Sequence, residues 1–154
     1  MIVLGLDPGR SGGYASISPD RVAAFKWPET DADTAGVLAP FMGLECFAYL
    51  ELVHSMPKQG VSSSFKFGDH YGFLRGLLVA YKIPFALVPA HKWQRAMGCL
   101  THGDKNISKQ KAQQLFPQVK ITHATADALL IAEYCRRTRG EDGKFMPAGL
   151  FKDF

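Results

Sequence analysis

Three acidic residues far apart in the chain stand where acids are expensive. Asp7 closes the apolar run Ile2, Val3, Leu4 and Leu6, which reads as a buried central strand. Glu51 lies inside a second such run, Cys46 to Val53, among Phe47, Tyr49, Leu50, Leu52 and Val53, residue types that favour strands. Asp127 shares one helical face with Leu130, Ile131 and Tyr134, at i, i+3, i+4 and i+7. A carboxylate in such a place is costly to desolvate unless a metal ion, a phosphate-binding turn or a salt bridge accompanies it. Each also has an ordinary explanation. Asp7-Pro8-Gly9 is common turn chemistry, Glu51 could face water from an edge strand, and Asp127 could be a first-turn acid favoured by the helix dipole. The apolar neighbours of Glu51 on both parities argue against an edge strand.

Taken together the three acids say more. Carboxylates meeting in a small space repel, so each pKa rises unless a cation holds them. Hard oxygen ligands without a cysteine partner point to magnesium or manganese. Two such ions in one site can activate water and stabilise a leaving oxygen in phosphodiester cleavage. His123, one turn before Asp127, lies near the same line, although a lone first-turn histidine is ordinarily a surface residue. The chain has a formal charge of +4 and a pI of about 9.0, an excess that suits a polyanionic partner. Lys92, Arg95, Lys105, Lys109 and Lys111 lie close together, and Arg136, Arg137 and Arg139 follow near the end.

The elements that must position these residues can be outlined from pattern. After the first strand, Gly12 and Gly13 keep the turn open, and strands are expected over Tyr14–Ile17 and Arg21–Trp27. A helix is expected within Thr30–Met42, starting near Asp31 and Asp33, then the strand holding Glu51, then a loop over Ser55–Ser64. Ser64 or a neighbour would cap a helix to about Tyr81. Its apolar stripe is Phe67, Tyr71, Leu74, Leu78 and Tyr81. Gly68, Gly72 and Gly76 recur on another face and predict close approach by another backbone, most often internal, otherwise a partner helix or second subunit. A strand over Ile83–Val88, a helix over Ala90–Met97, a helix over Lys109–Phe116 capped by Ser108, and a helix over Thr122–Arg139 complete the outline. No repeat or low-complexity linker interrupts the chain, so one domain over residues 1–154 is expected, with the tail from about 140 loosely held.

The 154 residues, 47% hydrophobic and 21% charged, suit a soluble globular domain with a real core. No apolar run approaches the roughly 20 residues that span a bilayer, and no secretion signal opens the chain. Cys46, Cys99 and Cys135 share no CxxC spacing and read as reduced, packed thiols of a cytoplasmic protein.

With the three acids placed, the chain resembles the RuvC-type Holliday junction resolvases, of the compact kind found in bacteriophages, within the ribonuclease H-like superfamily. The resemblance rests on GLDPGRSGGYA at Gly5–Ala15, YLELVHSMP at Tyr49–Pro57, FGDHYGFLRGLL at Phe67–Leu78, NISKQKAQQLFP at Asn106–Pro117 and HATADALLIAEYCRR at His123–Arg137. It implies an α/β fold with a mixed five-stranded sheet flanked by helices, a homodimer, and paired magnesium- or manganese-dependent cuts across a four-way DNA junction, in the host cytoplasm if phage-encoded. By motif, Asp7, Glu51 and Asp127 would be metal ligands and Lys109 a basic residue near the scissile phosphate. The family's fourth acid, three residues before the helix aspartate, is here Ala124, and His123 is the expected substitute as ligand or proton shuttle. His54 falls where the family carries a junction-wedging aromatic and could stack on a base. Arg10, Lys92, Arg95, Lys105 and Lys111 are the expected phosphate contacts.

Three rivals share parts of this pattern. A general ribonuclease H-like nuclease acting on flaps, forks or RNA–DNA hybrids would use the same metal site. An actin-like or sugar-kinase ATPase also opens with a strand-Asp-Gly turn but needs two such domains. Given Ala124, a catalytically silent protein that binds junctions is the third.

Overall fold

The computed structural model describes residues 1–54, 60–100 and 102–140. Five strands, β1 (Ile2–Asp7), β2 (Gly13–Ile17), β3 (Val22–Lys26), β4 (Cys46–Leu52) and β5 (Phe85–Pro89), and five helices, α1 (Asp31–Leu38), α2 (Val61–Ala80), α3 (Ala90–Met97), α4 (Lys105–Leu115) and α5 (His123–Gly140), follow in the chain, with a 3-10 turn over Ala39–Phe41. The strands form one sheet in the order β3-β2-β1-β4-β5. β1–β2 and β2–β3 are antiparallel; β1–β4 and β4–β5 are parallel. The expected mixed five-stranded sheet is therefore present, with β1 at its centre. β4, which carries Glu51, has a neighbour on each side, so Glu51 is not on an edge strand.

Alternation along the strands sorts side chains onto two faces. Leu4, Leu6, Ala48 and Leu50 pack with Leu38 of α1 and Leu74 and Leu78 of α2. Val3 and Phe47 point the other way, into a core built with Trp93, Met97, Ala112 and the buried face of α5, from Ala126 to Cys135. Asp7 and Glu51 have the parity of this second face. Leu6 pairs with Leu50 across the parallel register, so the next residues, Asp7 and Glu51, reach the same end of neighbouring strands.

Of the contacts the glycine periodicity allows, the internal one is not made among the described residues. A Cβ on Gly68, Gly72 or Gly76 would meet nothing within 4 Å, so no backbone among the described residues packs there. The close approach is at Gly5 and Gly13. A Cβ on Gly5 would lie 2.1 Å from the Ala128 carbonyl oxygen, and one on Gly13 would lie 2.5 Å from that of Ala124. The backbone of α5 thus rests directly on β1 and β2.

Several boundaries move for local reasons. Pro40 has no N–H to continue α1, and the chain tightens into the 3-10 turn; Thr30 caps α1, its hydroxyl accepting from the Asp33 N–H at 3.1 Å. α2 starts at Val61 after Gly60, with no side-chain cap, so Ser64 lies inside the helix. Ile83 is no strand residue: its N–H closes the end of α2 on the Leu78 carbonyl at 2.9 Å. β5 instead runs through Pro89, tolerated because β5 is an edge. α4 begins four residues before Lys109, capped by Asp104, which accepts from the Asn106 N–H at 2.9 Å; Ser108 is a buried interior residue rather than the cap. α3 has the expected bounds. Cys46, Cys99 and Cys135 are buried and free, and no helix among the described residues is long and apolar enough to cross a membrane. The tail after residue 140 and much of the loop expected from Ser55 lie outside the described residues.

The backbone contact under α5 yields a paired test. Gly5→Ala should lower stability by more than about 3 kcal/mol, since overpacking here meets backbone rather than a yielding side chain, and drop the melting temperature by roughly 10 °C. Gly36→Ala, on the open side of α1 with nothing within 4 Å, should raise stability by about 0.5–1 kcal/mol. Urea and thermal unfolding of both variants check the contrast.

Candidate metal centre

The C-terminal ends of the parallel strands gather the three acids. Asp7 ends β1, Glu51 stands one residue from the end of β4, and Asp127 occupies the second turn of α5. α5 runs back over β1 from this end, seating Ala128 and Ala132 on Gly5, so Asp127 projects near the strand ends.

Electrostatics show that the three share one environment. The Asp7 carboxyl is raised well above the usual carboxylate range, chiefly by burial, then by the charges of Glu51 and Asp127, while Lys105 pulls the other way. Glu51 is pushed up to about 7, again chiefly by burial; the Trp93 hydrogen bond opposes the rise and Asp127 adds to it. Asp127 is raised by burial against the lowering effects of Ser108, Lys105 and His123. One Asp127 oxygen, Oδ1, is buried with no hydrogen-bond partner among the described residues.

The carboxylates are braced individually. The indole Nε1 of Trp93, a wholly buried residue of α3, donates to Glu51 Oε2 at 2.7 Å. The Ser108 hydroxyl lies within reach of Asp127 and also 3.3 Å from the Lys105 carbonyl; its single proton serves one or the other. Trp27 Nε1 donates to the Asp7 carbonyl at 2.7 Å.

Among the described residues, no three His, Cys, Asp or Glu side chains are already set as a cage for an ion. The donor chemistry nevertheless fits a hard divalent cation: three buried acids with raised pKa values, Asp7 lifted further by the other two and Glu51 by Asp127, and an orphaned carboxylate oxygen, call for positive charge.

The remaining expected residues divide by position. His123 is exposed at the start of α5 and close enough to lower Asp127. Lys105 is the cation whose charge reaches both Asp7 and Asp127; Lys109, one turn further along α4, is half-buried. Lys92 and Arg95 are exposed on α3, and Lys111 is half-buried on α4. Arg10 is exposed and donates to the Glu29 carbonyl, and His54 is exposed beyond β4. Trp93, Ser108 and His70 did not stand out in the sequence, because each occupies a position that reads as core or cap. A cavity of about 1140 Å³, lined by Val3, Ile17, Phe47, Phe116 and Arg139 among others, opens at the opposite ends of β1 and β4 and includes none of the three acids. Concavity alone would point to the wrong pole.

No family model matches the chain, and no curated protein matches it by sequence. Solved structures do match. The Thermus thermophilus RuvC structure aligns with a TM-score of 0.61 at 17% identity, covering 91% of this chain and 97% of that one. T. thermophilus RuvC in complex with Holliday junction substrate aligns with a TM-score of 0.62 at 16% identity, covering 89% and 96%. The fold is RuvC-like, within the ribonuclease H-like architecture.

A pH test follows from the raised carboxyls. A carboxyl whose folded pKa exceeds its unfolded value binds its proton more tightly when folded. Its stabilising contribution is full below the unfolded value and is lost as pH rises through the folded one, a window for Glu51 from 4.5 to about 7. In chelator, the melting temperature should therefore fall between pH 5 and pH 8. Magnesium or manganese should restore it at pH 8 and have little effect at pH 5, by roughly 2–4 °C per kcal/mol of relieved repulsion. Asp127→Asn should flatten both dependences in thermal melts.

Proposed function

We propose that the chain is a divalent-metal-dependent endonuclease, one domain throughout, that resolves four-way DNA junctions by paired phosphodiester hydrolysis as a homodimer. The observation that carries this reading is the electrostatic convergence of Asp7, Glu51 and Asp127 at one end of a RuvC-like sheet. The solved relative bound to a Holliday junction supports branched DNA as the substrate class.

Asp7, Glu51 and Asp127 would hold magnesium, or manganese in its place, with His123 completing the set. Two such ions, when bound, supply an activated water and a stabilised leaving oxygen. Trp93 ties down one oxygen of Glu51 and leaves the other for coordination. Lys105 places positive charge beside both aspartates, where a scissile phosphate would lie, and Lys109 extends that charge along α4. Arg10, Lys92, Arg95 and Lys111 would hold flanking phosphates, and His54 would stack on an exposed base. A contact set of this kind weakens steeply with salt.

The outer face of α2 supports the dimer. Val61, Phe65 and Val79 are 88%, 75% and 67% exposed, and Gly68, Gly72 and Gly76 between them face open space. Their spacing of three and four residues makes one apolar seam. Isologous pairing through it would present two identical sites to the two strands of a symmetric junction.

One observation favours a second reading, junction binding without cleavage. Ala124 stands where the RuvC-type pattern has an acid, and the described side chains do not form a ready ion cage.

Cleavage of labelled four-way junctions, flaps and RNA–DNA hybrids in magnesium separates these readings. Symmetric paired nicks confined to junctions are expected. Asp7→Asn and Asp127→Asn should each lose more than about a hundredfold in rate, exceeding what loss of a ligand's supporting partner costs, while still binding junctions. His123→Ala should lose activity as well; full activity in that variant would remove His123 from the ligand set. Junction binding with no nicking in either ion would favour the silent reading, and preferential hybrid cutting would favour a general nuclease.

The dimer has its own check. Gly72→Glu, which puts charge in the centre of the α2 seam, should convert a dimer to a monomer in sedimentation while the monomer keeps its folded circular-dichroism spectrum.

A further inference from the structure

We infer that His70 is a positioning residue for the Asp7 loop, holding the backbone that aims the Asp7 carboxylate and so setting the affinity of the site for its cation. This deepens the proposed metal site and rests on it. His70 lies on α2, across the sheet from the acids' face. It is buried, 7% exposed, in line with the core residues Leu74 and Leu78. A polar ring in that stripe costs free energy unless it is hydrogen-bonded. It has a partner: His70 Nδ1 accepts from the Gly9 N–H at 2.9 Å.

Gly9 is where the loop after β1 turns. Its φ is +99°, and a Cβ there would strike the Phe67 ring of α2 at 2.7 Å, so the loop lies flat against the helix. Two residues back, the Asp7 carbonyl accepts from Trp27 Nε1 at 2.7 Å. The Trp27 ring meets His70 edge-on at 5.5 Å and lies 5.0 Å from the Tyr14 ring. Thus Asp7 is held at its carbonyl by Trp27 and beyond it at Gly9 by His70, with the two holding groups in mutual contact. Without His70 the Gly9 N–H would be buried and unpaired, a loss of about 1–3 kcal/mol unless the loop moves to satisfy it. A moving loop carries Asp7 with it.

The acceptor role requires a neutral ring with its proton on Nε2. Burial, with the Arg10 charge second, pushes the His70 pKa down, against the smaller opposing effects of Asp31 and Asp69.

Three variants test the assignment by atom position. Asn places an oxygen near the Nδ1 position, Gln places one near Nε2, and Leu fills the space with no acceptor. Ion affinity is read from the manganese-concentration dependence of the melting temperature, and the magnesium dependence of junction nicking is read in parallel. His70→Leu and His70→Gln should weaken ion affinity about tenfold, the scale of losing a partner that orients a ligand. Nicking should recover at saturating magnesium. His70→Asn should stay within about threefold of the native chain. Should His70→Leu fail to fold, the Asn–Gln contrast gives the same discrimination. Unchanged ion affinity in folded His70→Leu or His70→Gln, or equal loss in Asn and Gln, would overturn the assignment while leaving the metal site standing. No manganese-induced shift in the native chain would overturn both.

Discussion

The backbone of α5 lies directly on β1 and β2, with no side chain between them at Gly5 or Gly13. A helix normally rides about a side chain's thickness above a sheet. Removing that thickness lets residues near the start of α5 reach down to the ends of the strands, and brings Asp127 within electrostatic range of Asp7 and Glu51. Ala126, Ala128 and Ala132, all buried, keep the underside of the helix thin enough for the contact. The small residues of the sheet and of the helix are two halves of one requirement, and the placement of the third carboxylate depends on both.

That placement works against stability. Three acids stand in shared surroundings where burial raises all their pKa values, with the charges of Glu51 and Asp127 adding to the rise at Asp7 and that of Asp127 adding to it at Glu51. The fold tolerates this because the rest of the site is over-determined. Trp93 is locked in the core and fixes Glu51 from α3, Ser108 and Lys105 approach Asp127 from α4, and Trp27 and His70 hold the loop beyond Asp7 from the opposite layer. Strain concentrated at a site and carried by well-packed neighbours is characteristic of functional centres. At the other end of α5, by contrast, Glu133 is matched by Arg136 and Arg137 at 2.7 and 2.8 Å, and its pKa falls. The same helix thus carries a satisfied acid at one end and an unsatisfied one at the other.

The sheet and the three acids were legible because they rest on local signals: apolar runs, turn residues, and acids that violate their surroundings. Tertiary relations were not. The glycine periodicity on α2 shows a small face without showing what covers it, and no described backbone of this chain does so. Gly5, which does make the contact, looks like any strand glycine. In α4, Ser108 reads as a cap, but Asp104 takes that place and the helix opens four residues earlier, bringing Lys105 into its first turn. His70 and Trp93 were hidden by occupying core positions in helical stripes; their polar atoms matter only through partners 61 and 42 residues away.

On the proposed reading, the departure at Ala124 would be made good within α5 itself. Residues three and four before Asp127 both lie on its side of the helix, so an acid at the first position and a histidine at the second can approach the same point. The longer reach of an imidazole compensates for the extra residue. His123 begins α5, is exposed, and its charge already acts on Asp127. Thr122 and Thr125 bond reciprocally around that first turn, the Thr122 N–H donating to the Thr125 hydroxyl at 3.0 Å, which fixes the backbone from which His123 projects. A histidine in that role would also spare the site a fourth negative charge beside acids whose pKa values burial already raises.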